Sequence, residues 1–393
     1  MSHAQLVEMA KKDLEHGRNG TVDQVEEIVR IPVENYYDRG RWEQEVSQIF
    51  RRVPLVLAAS AELQNPGDYK AMLAAGVQVL LTRTRKGEVK AFVNMCSHRG
   101  AKLAEDGHGT AHKFSCPYHG WTYSPDGDLV AIYSEEDFGE IDKSCNGLTE
   151  LPILEKAGII WGVVNPKSDL DINQFLSGYD SLIEQFGFAD WHHQHTQTVE
   201  GPNWKIAYDG YLDYYHLPIL HKNSFGTEIG NQANYYSWGP HMHLGRPDDT
   251  LADLLDVPES EWPTERLVNG VWTIFPHVSI ASFGGGGRSV MLSQLFPGET
   301  PETSYTNQIF LMESAPDTDE LKAEAQQQFD FLKYVVQEED YATGIAQQKN
   351  LHVGAKSHVM FGKNEGGGQA FHRWVDDILE TSDEDLNKLF QTG

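Results

Sequence analysis

One stretch decides the fold of this chain: residues 96–121, CSHRGAKLAEDGHGTAHKFSCPYHGW. It holds two of the three cysteines, and a histidine follows each of them closely. Cys96 and His98 form the first pair, and Cys116 and His119 form the second pair after seventeen intervening residues. Two thiolates and two imidazoles in two short loops are a sufficient ligand set for a metal centre.

Two kinds of centre fit this ligand set. A structural zinc ion accepts two Cys and two His, but zinc fingers typically take both cysteines from one segment and both histidines from another. Here each loop supplies one Cys and one His, which favours a Rieske [2Fe–2S] cluster, with both thiolates on one iron and both imidazoles on the other. Ser97, Gly100 and Gly120 are small enough to let the backbone approach the sulfur atoms. The third cysteine, Cys145, is expected to be a buried or half-buried thiol.

Short β-rich runs surround the two loops. They lie at 77–84, 89–93, 129–132 and 158–165, and turn signals separate them. This alternation predicts a small all-β module over about residues 53–165.

The remaining chain combines helices and strands. Helical periodicity covers residues 5–31, broken by Gly17 and Gly20, and residues 172–186, and further strands are expected within 271–313. A long helix is predicted over 317–349, and an amphipathic helix that docks on a core over 369–380.

Nucleotide cofactors are not expected on this chain. The glycine run at 284–287 lacks the Lys-Ser/Thr of a P-loop, and no GxGxxG fingerprint occurs in the sequence. We interpret the run as a hairpin tip and expect neither NAD nor flavin to bind. The other histidine groups, at 192–195 and at His241 and His243, are interpreted as strand or surface residues.

Composition excludes several classes of protein. With 31 Lys and Arg against 58 Asp and Glu, the net charge of −27 makes nucleic acid an unexpected partner. The sequence contains no apolar run of about 18 residues, so no membrane span is expected. Few cysteines and no secretory signal predict a cytoplasmic protein.

One region departs from the acidic average. Residues 51–125 hold ten Lys and Arg against five Asp and Glu. Arg99, Lys102 and Lys113 lie beside the two loops, so we expect this basic patch to dock an acidic electron donor.

A second group of candidate ligands lies at residues 203–221, NWKIAYDGYLDYYHLPILH. Asp213 and His216 are three residues apart and would share one helix face. His221 would point away from His216 on an ideal helix, but Pro218 is expected to end or distort the helix and bring His221 back. Two imidazoles and one distant carboxylate form the facial triad that binds ferrous iron with open positions.

The carboxylate of this triad is expected in the C-terminal part of the chain. Phe329, Leu332 and Val336 define an apolar helix face there, with Glu339 nearer its middle and Asp340 at its edge. Helical geometry therefore leaves both residues open, and a solvated acidic face is the alternative.

Together these motifs resemble the two signatures of the catalytic α subunit of Rieske non-haem iron oxygenases, CxH…CxxHGW and NWKxxxENxxDxYHxxxxH. The resemblance spans about residues 40–380. The chain departs from the pattern once, because Asp209 and Gly210 replace the usual Glu-Asn pair.

The resemblance implies an α+β fold with a small all-β Rieske [2Fe–2S] domain. The catalytic domain is implied to be a bent antiparallel sheet with helices, of the helix-grip, Bet v1/START-like kind. We expect an N-terminal helical segment at 1–42 that packs on the catalytic domain, the Rieske domain at 43–165, and the mononuclear iron domain at 166–393.

The resemblance also implies a role for each candidate residue. The implied cluster ligands are Cys96, His98, Cys116 and His119, and the implied iron ligands are His216, His221 and Asp340, with Glu339 as second choice. Asp213 is implied to be a bridge that accepts hydrogen bonds from a histidine of the iron site and, across a subunit boundary, from His119, and so carries electrons between neighbouring subunits. The implied assembly is a head-to-tail homotrimer.

The implied activity is that of a terminal oxygenase. Electrons from NAD(P)H would arrive through a separate reductase, with or without a ferredoxin. With O₂, Fe(II) would hydroxylate, dihydroxylate or oxidatively demethylate a small organic substrate, and family frequency favours an aromatic one. The alternatives are a quaternary ammonium substrate, a Rieske electron-transfer protein without oxygenase chemistry, and a ligand-binding protein that has lost catalysis.

Overall fold

The computed structural model describes residues 2–284 and 286–391. The chain divides into two compact units. We call Phe50–Ile172 the β-rich unit, and Met1–Ile49 together with Asn173–Gly393 the sheet unit. In the described ranges, none of the helices combines the length and apolar character needed to span a membrane.

The elements have the following bounds. The helices are α1 (Ser2–Asn19), α2 (Arg39–Glu45), α3 (Glu135–Phe138), α4 (Ile172–Leu176), α5 (Asp180–Ile183), α6 (Trp204–Asp209), α7 (Leu217–Leu220), α8 (Thr264–Leu267), α9 (Asp319–Tyr334), α10 (Ala342–Leu351), α11 (Gly366–Glu380) and α12 (Asp383–Leu389). The strands are β1 (Val29–Pro32), β2 (Leu55–Ala59), β3 (Asp68–Ala74), β4 (Val77–Arg83), β5 (Val89–Val93), β6 (Gly107–Thr110), β7 (Phe114–Ser115), β8 (Thr122–Tyr123), β9 (Leu129–Ala131), β10 (Ile153–Lys156), β11 (Ile159–Gly162), β12 (His192–Gly201), β13 (Asn234–Trp238), β14 (His241–Gly245), β15 (Val271–Ile274), β16 (Val278–Phe283), β17 (Ser289–Pro297), β18 (Ser304–Met312) and β19 (His358–Phe361).

The β-rich unit is built from three small antiparallel sheets. Their strand orders are β10-β11-β2, β5-β4-β3-β6 and β7-β8-β9. The four β-rich runs predicted from the sequence are confirmed as β4, β5, β9 and β11. The first Cys–His loop follows β5 and the second joins β7 to β8, over a core that includes Phe92, Trp121 and Tyr123.

The sheet unit is built on a seven-stranded antiparallel sheet of order β12-β18-β17-β16-β15-β14-β13. Helix α6 packs against β17 and β18. The predicted amphipathic C-terminal helix is confirmed as α11, which buries Phe371, Val375 and Ile378. Phe371 contacts the rings of Phe275 and Tyr208, so α11 completes the core beside α6. The predicted α+β class is confirmed.

The predicted break at Gly20 is confirmed, but the prediction of further helix up to residue 31 was wrong. Helix α1 ends at Asn19, and Gly20 adopts a left-handed φ of 62° that stops it. Residues 29–32 instead form β1, whose partner β19 begins at His358. Periodicity within one segment could not reveal a partner so distant in sequence.

Other local expectations were correct only in part. The helix expected at 172–186 is split into α4 and α5, because Ser177 and Gly178 both have positive φ (50° and 82°). The glycine run at 284–287 lies between β16 and β17 as expected, although Gly285 is outside the described residues. Cys145 is exposed rather than buried, and its thiol donates to Oδ2 of Asp142 (3.4 Å).

Candidate metal centres

The two Cys–His loops share one backbone geometry. In each loop the cysteine N–H donates to the carbonyl five residues further on (2.8 and 2.7 Å). The N–H four residues after the cysteine, which belongs to Gly100 or Gly120, donates back to the cysteine carbonyl (2.9 and 3.0 Å). Both glycines have positive φ, at 79° and 70°, which a residue with a Cβ adopts only at a cost. The glycines therefore allow both loops to close.

Both loop cysteines are buried and free. Sγ of Cys96 lies 3.3 Å from the hydroxyl of Tyr123, which accepts the N–H of Ser97 (3.0 Å). Because the hydroxyl oxygen already accepts this bond, its own proton is available to the sulfur. Burial raises the pKa of Tyr123 to about 12, so the hydroxyl keeps that proton near neutral pH. The sequence reasoning missed Tyr123, since only the folded hairpin brings it to the loop.

The two loop histidines lie side by side. The ring centroids of His98 and His119 are 4.7 Å apart, and Trp121 stacks on His98 at 5.0 Å. Nδ1 of His98 is buried without a hydrogen-bond partner among the described residues. Such an atom is costly unless a ligand satisfies it, so it is a candidate ligand atom. The Arg99 guanidinium lies 2.7 Å from Nε2 of His119, which leaves Nδ1 of His119 for a metal.

This spacing fits a two-iron cluster better than a single zinc ion. Tetrahedral zinc, with bonds of about 2.0–2.3 Å, holds its ligand atoms about 3.3–3.8 Å apart. The four candidate cluster ligands are Cys96, His98, Cys116 and His119. In the described part of the chain, no three of them bring their ligand atoms within 4.8 Å of one another. A Rieske cluster divides the thiolates and the imidazoles between two irons and so accepts the wider spacing.

Three other ligand atoms converge in the sheet unit. Nε2 of His221 lies 3.1 Å from Oδ1 of Asp340, and Nε2 of His216 lies 3.8 Å from the same oxygen. All three ligand atoms lie within 4.8 Å of one another. Two imidazoles and one carboxylate at this spacing fit a facial triad for a mononuclear metal ion.

The local fold around the two histidines differs from the expected one. Helix α6 ends at Asp209, and a turn then carries the chain to α7, which His216 and His221 flank at its two ends. The expectation that Pro218 ends a helix running through Asp213 was wrong. Pro218 lies in the first turn of α7, where its missing N–H is tolerated. The turn, rather than a distorted long helix, brings both imidazoles to one carboxylate.

A second carboxylate orients each of these histidines. Nδ1 of His216 donates to Oδ1 of Asp213 (3.0 Å), which also accepts the backbone N–H of His216 (3.1 Å). Nδ1 of His221 donates to Oε2 of Glu339 (2.6 Å), and the Ser224 hydroxyl donates to Oε1 (2.8 Å). With protons on both Nδ1 atoms, both Nε2 atoms are free to bind a metal.

Glu339, the second choice for a ligand, therefore contacts Nδ1 of His221, whereas Asp340 lies by Nε2. Burial lowers the pKa of His221, but Asp340 and Glu339 outweigh burial and raise it overall. This local excess of negative charge is what a divalent cation would neutralise. Sequence reasoning missed Ser224, which stabilises Glu339.

A π-helical segment, Val335–Tyr341, carries both acidic residues between α9 and α10. The long helix predicted at 317–349 is thus continuous, but its middle is wound more loosely. An ideal 3.6-residue wheel does not describe such a segment, which is why it could not decide between Glu339 and Asp340.

A cavity of about 480 Å³ adjoins the three converging ligands. His216, His221 and Asp340 line it on one side. The rest of its wall is mainly apolar, with Phe283 and Met291 from the sheet and side chains from α9 and the π-helical segment. This combination of a metal-ligand set and an apolar volume fits a small organic ligand.

The departure at Asp209 and Gly210 has a structural counterpart. Asp209 accepts hydrogen bonds from the hydroxyl of Tyr36 (2.9 Å) and Nε2 of His372 (3.0 Å), and it thereby ties α6 to α11. Gly210 lines the cavity, so no side chain projects there.

The other two groups of histidines, at 192–195 and at His241 and His243, lie in strands. His241 and His243 lie in β14 as expected for strand residues, but both are buried, so the surface alternative was wrong. Their Nε2 atoms contact the carbonyl oxygens of Phe175 (3.0 Å) and Asn269 (2.7 Å). Burial lowers the pKa of each imidazole to about 4, which keeps both neutral. His192 and His195 lie in β12.

Two family models match this chain. Residues 53–142 match the Rieske [2Fe–2S] domain. Residues 188–381 match the ring hydroxylating alpha subunit, catalytic domain. The chain belongs to the Rieske non-haem iron oxygenases. The resemblance seen in the two sequence signatures is thereby confirmed.

Curated relatives of this Rieske oxygenase include large subunits of dioxygenases. The 2-halobenzoate 1,2-dioxygenase large subunit of Burkholderia cepacia is 27% identical in an alignment of 253 residues that covers 62% of this chain and 50% of that protein. The anthranilate 1,2-dioxygenase large subunit of Acinetobacter baylyi is 28% identical over 65% of this chain and 59% of that protein. The chain thus spans between 50% and 59% of the length of these two relatives.

Solved structures share the fold. A naphthalene 1,2-dioxygenase from Rhodococcus sp. bound to indole superposes with a TM-score of 0.74 at 18% identity, covering 97% of this chain and 100% of that chain. The apo form of a quaternary ammonium Rieske monooxygenase superposes with a TM-score of 0.73 at 20% identity, covering 90% and 96%.

Proposed function

We propose that this chain is a terminal oxygenase component that hydroxylates, dihydroxylates or oxidatively demethylates a small organic substrate. The observation that carries the proposal is the convergence of His216, His221 and Asp340 at the wall of an apolar cavity. A Rieske protein that only transfers electrons has no use for this second ligand set, so the arrangement favours oxygenase chemistry over that alternative.

The proposed ligand sets follow the two centres. Cys96, His98, Cys116 and His119 would hold the [2Fe–2S] cluster, and His216, His221 and Asp340 would hold Fe(II). When bound, these groups supply single electrons and an open coordination site for O₂. Asp213 and Glu339 keep the two iron-site imidazoles in the tautomer that presents Nε2.

Asp213 has a further proposed role as an electron bridge. It already accepts the Nδ1 proton of His216. We propose that, in a head-to-tail trimer, it also accepts a hydrogen bond from Nε2 of His119 of a neighbouring copy, in place of the contact that Arg99 makes with that nitrogen within one chain. Exposed apolar side chains on and near the cluster loops, among them Met95, Tyr118 and Phe138, support an interface at that surface.

The electron donor is proposed to be a separate NAD(P)H-dependent reductase, with or without a ferredoxin. The basic patch expected to dock it is partly neutralised, because Lys102 pairs with Asp106 (2.9 Å) and Glu105 (3.6 Å). Docking of an acidic donor would therefore depend mainly on Arg99 and Lys113.

The substrate is proposed to be aromatic. The cavity wall is largely apolar and carries rings such as Phe225 and Phe283. The names of the curated relatives also point to ring compounds. A quaternary ammonium substrate, as in the name of one structural neighbour, is the competing possibility.

Oxygen uptake tests the proposed function. The iron-loaded protein, supplied with NADH and a surrogate reductase, is expected to consume O₂ and form a hydroxylated product from at least one member of a panel of aromatic acids, amines and ethers. His216→Ala is expected to abolish product formation while the visible spectrum of the cluster remains. Product formation by His216→Ala protein that has lost its mononuclear iron would contradict the proposal.

A further inference from the structure

An arginine without an ion-pair partner in the described ranges lies at the cavity beside the iron site. Arg246 directly follows Gly245, the last residue of β14, and lines the cavity. Among the described residues that line this cavity, no other is a lysine or an arginine. Arg246 makes no hydrogen bond or ion pair with any residue in the described ranges.

Two other arginines of the sheet unit are held differently. Arg266 donates to Asp253 (2.8 Å) and to the carbonyl of Thr250 (2.9 Å). Arg288 donates to Glu313 (2.8 Å). Each of these guanidinium groups has an internal partner, whereas the exposed Arg246 has none in the described ranges, so its planar set of donors remains available to a ligand.

Neither of the two acidic side chains in the described cavity wall, Asp213 and Asp340, forms an ion pair with Arg246. Asp213 is engaged by His216, and Asp340 is engaged by His221. The cavity therefore has an acidic side that the metal ligands occupy and a separate cationic position at Arg246.

The form of the cavity suggests what Arg246 binds. A volume of about 480 Å³ accommodates a ring system of one or two rings, and Leu332 and Val336 add to its apolar wall. A guanidinium binds a carboxylate through two parallel hydrogen bonds. A purely cationic substrate would instead meet the like charge of Arg246, which disfavours its binding.

We propose that the substrate of this site is an organic carboxylate with an apolar, aromatic body, and that Arg246 binds its carboxylate. This inference rests on the proposed function, since it names the substrate class of the same site. Arg246 is exposed, so solvent weakens the interaction. We therefore expect its removal to weaken carboxylate binding about tenfold, at the low end for a hydrogen bond to a charged group.

Binding calorimetry on the iron-loaded protein tests the inference without requiring turnover. Three probes share one ring system: 2-naphthoate, its neutral amide 2-naphthamide, and the cation 2-naphthyltrimethylammonium. The wild-type protein is expected to bind 2-naphthoate at least tenfold more tightly than either other probe. Arg246→Gln is expected to weaken 2-naphthoate about tenfold and to leave 2-naphthamide unchanged, and Arg246→Lys is expected to lie between.

Arg266→Gln is the matched control, because it removes the same charge from an arginine that is already paired. It is expected to leave the binding of all three probes unchanged. Equal or tighter binding of the amide or the cation by wild-type protein, no binding of 2-naphthoate at millimolar concentration, or an unchanged affinity in Arg246→Gln would each overturn the inference. Failure of the oxygenase function alone would appear as intact carboxylate preference without oxygen uptake.

Discussion

At the scale of residues, Glu339 and Asp340 are neighbours in sequence but contact different nitrogens of His221. Asp340 lies by Nε2 (3.1 Å) and Glu339 by Nδ1 (2.6 Å). Metal-binding histidines commonly have such a carboxylate on the other nitrogen, where it fixes the ring and makes it a better ligand. Glu339 is therefore a positioning residue for the proposed iron site.

Replacing Glu339 is expected to weaken iron binding. Glu339→Ala removes the acceptor of His221 Nδ1 and should reduce iron affinity about 10- to 100-fold, and Glu339→Gln should have a smaller effect. The measurement is the iron retained after dialysis against graded chelator. Glu338→Ala removes the same charge from an exposed neighbour and should retain iron as the wild type does. Equal retention by Glu339→Ala and Glu338→Ala protein would show that the contact does not matter.

Sequence reasoning could select the candidate ligands but not the residues that support them. Motif spacing brought Cys96, His98, Cys116 and His119 into one group, because each pair lies within one loop. Tyr123 and Ser224 could not be found in that way. Their contacts depend on how a hairpin and a turn place each side chain, and spacing does not encode this.

At the scale of elements, α1 carries a buried carboxyl group toward β13. Asp13 accepts hydrogen bonds from Nδ2 of Asn234 (2.6 Å) and the hydroxyl of Tyr236 (2.9 Å). Burial raises the pKa of Asp13 from 3.8 to about 7, although these hydrogen bonds oppose the shift. Between these two values the folded protein holds the carboxyl protonated while the unfolded chain ionises it.

Asp13 should therefore make the fold less stable as the pH rises from about 4 to about 7, with the full loss present above 7. Asp13→Asn keeps an acceptor for both donors and cannot ionise. We expect it to be as stable as the wild type at pH 4 and more stable at pH 8, by roughly 2–4 kcal/mol. Urea denaturation at the two pH values measures this, with Glu15→Gln, an exposed carboxylate on the same helix, as the control. A constant difference between Asp13→Asn and wild type at both pH values would contradict the expected pKa.

Element prediction succeeded where the signal is local and failed where it depends on distant partners. Strands β4 and β5 and helix α11 carry their own periodicity, and all three were predicted. Strand β1 exists because β19 pairs with it, and the π-helical segment Val335–Tyr341 depends on packing that no repeat reveals. Those two features were therefore not predicted.

At the scale of the whole molecule, each compact unit contains its own candidate centre. The β-rich unit holds the two Cys–His loops, and the sheet unit holds the His216, His221 and Asp340 site. The sequence could predict this division of chemistry, because all but one of the ligands come from two short segments. Asp340 is the exception, since it lies more than a hundred residues beyond His221 and only the fold brings it there.

Iron content tests the central claim, that one chain carries two separate iron centres, most directly. Wild-type protein reconstituted anaerobically with iron and sulfide should contain about three irons and about two sulfides per chain. His216→Ala should contain about two irons with both sulfides, and Cys116→Ser about one iron with no sulfide. A wild-type content of two irons, or three irons retained in His216→Ala, would contradict the account.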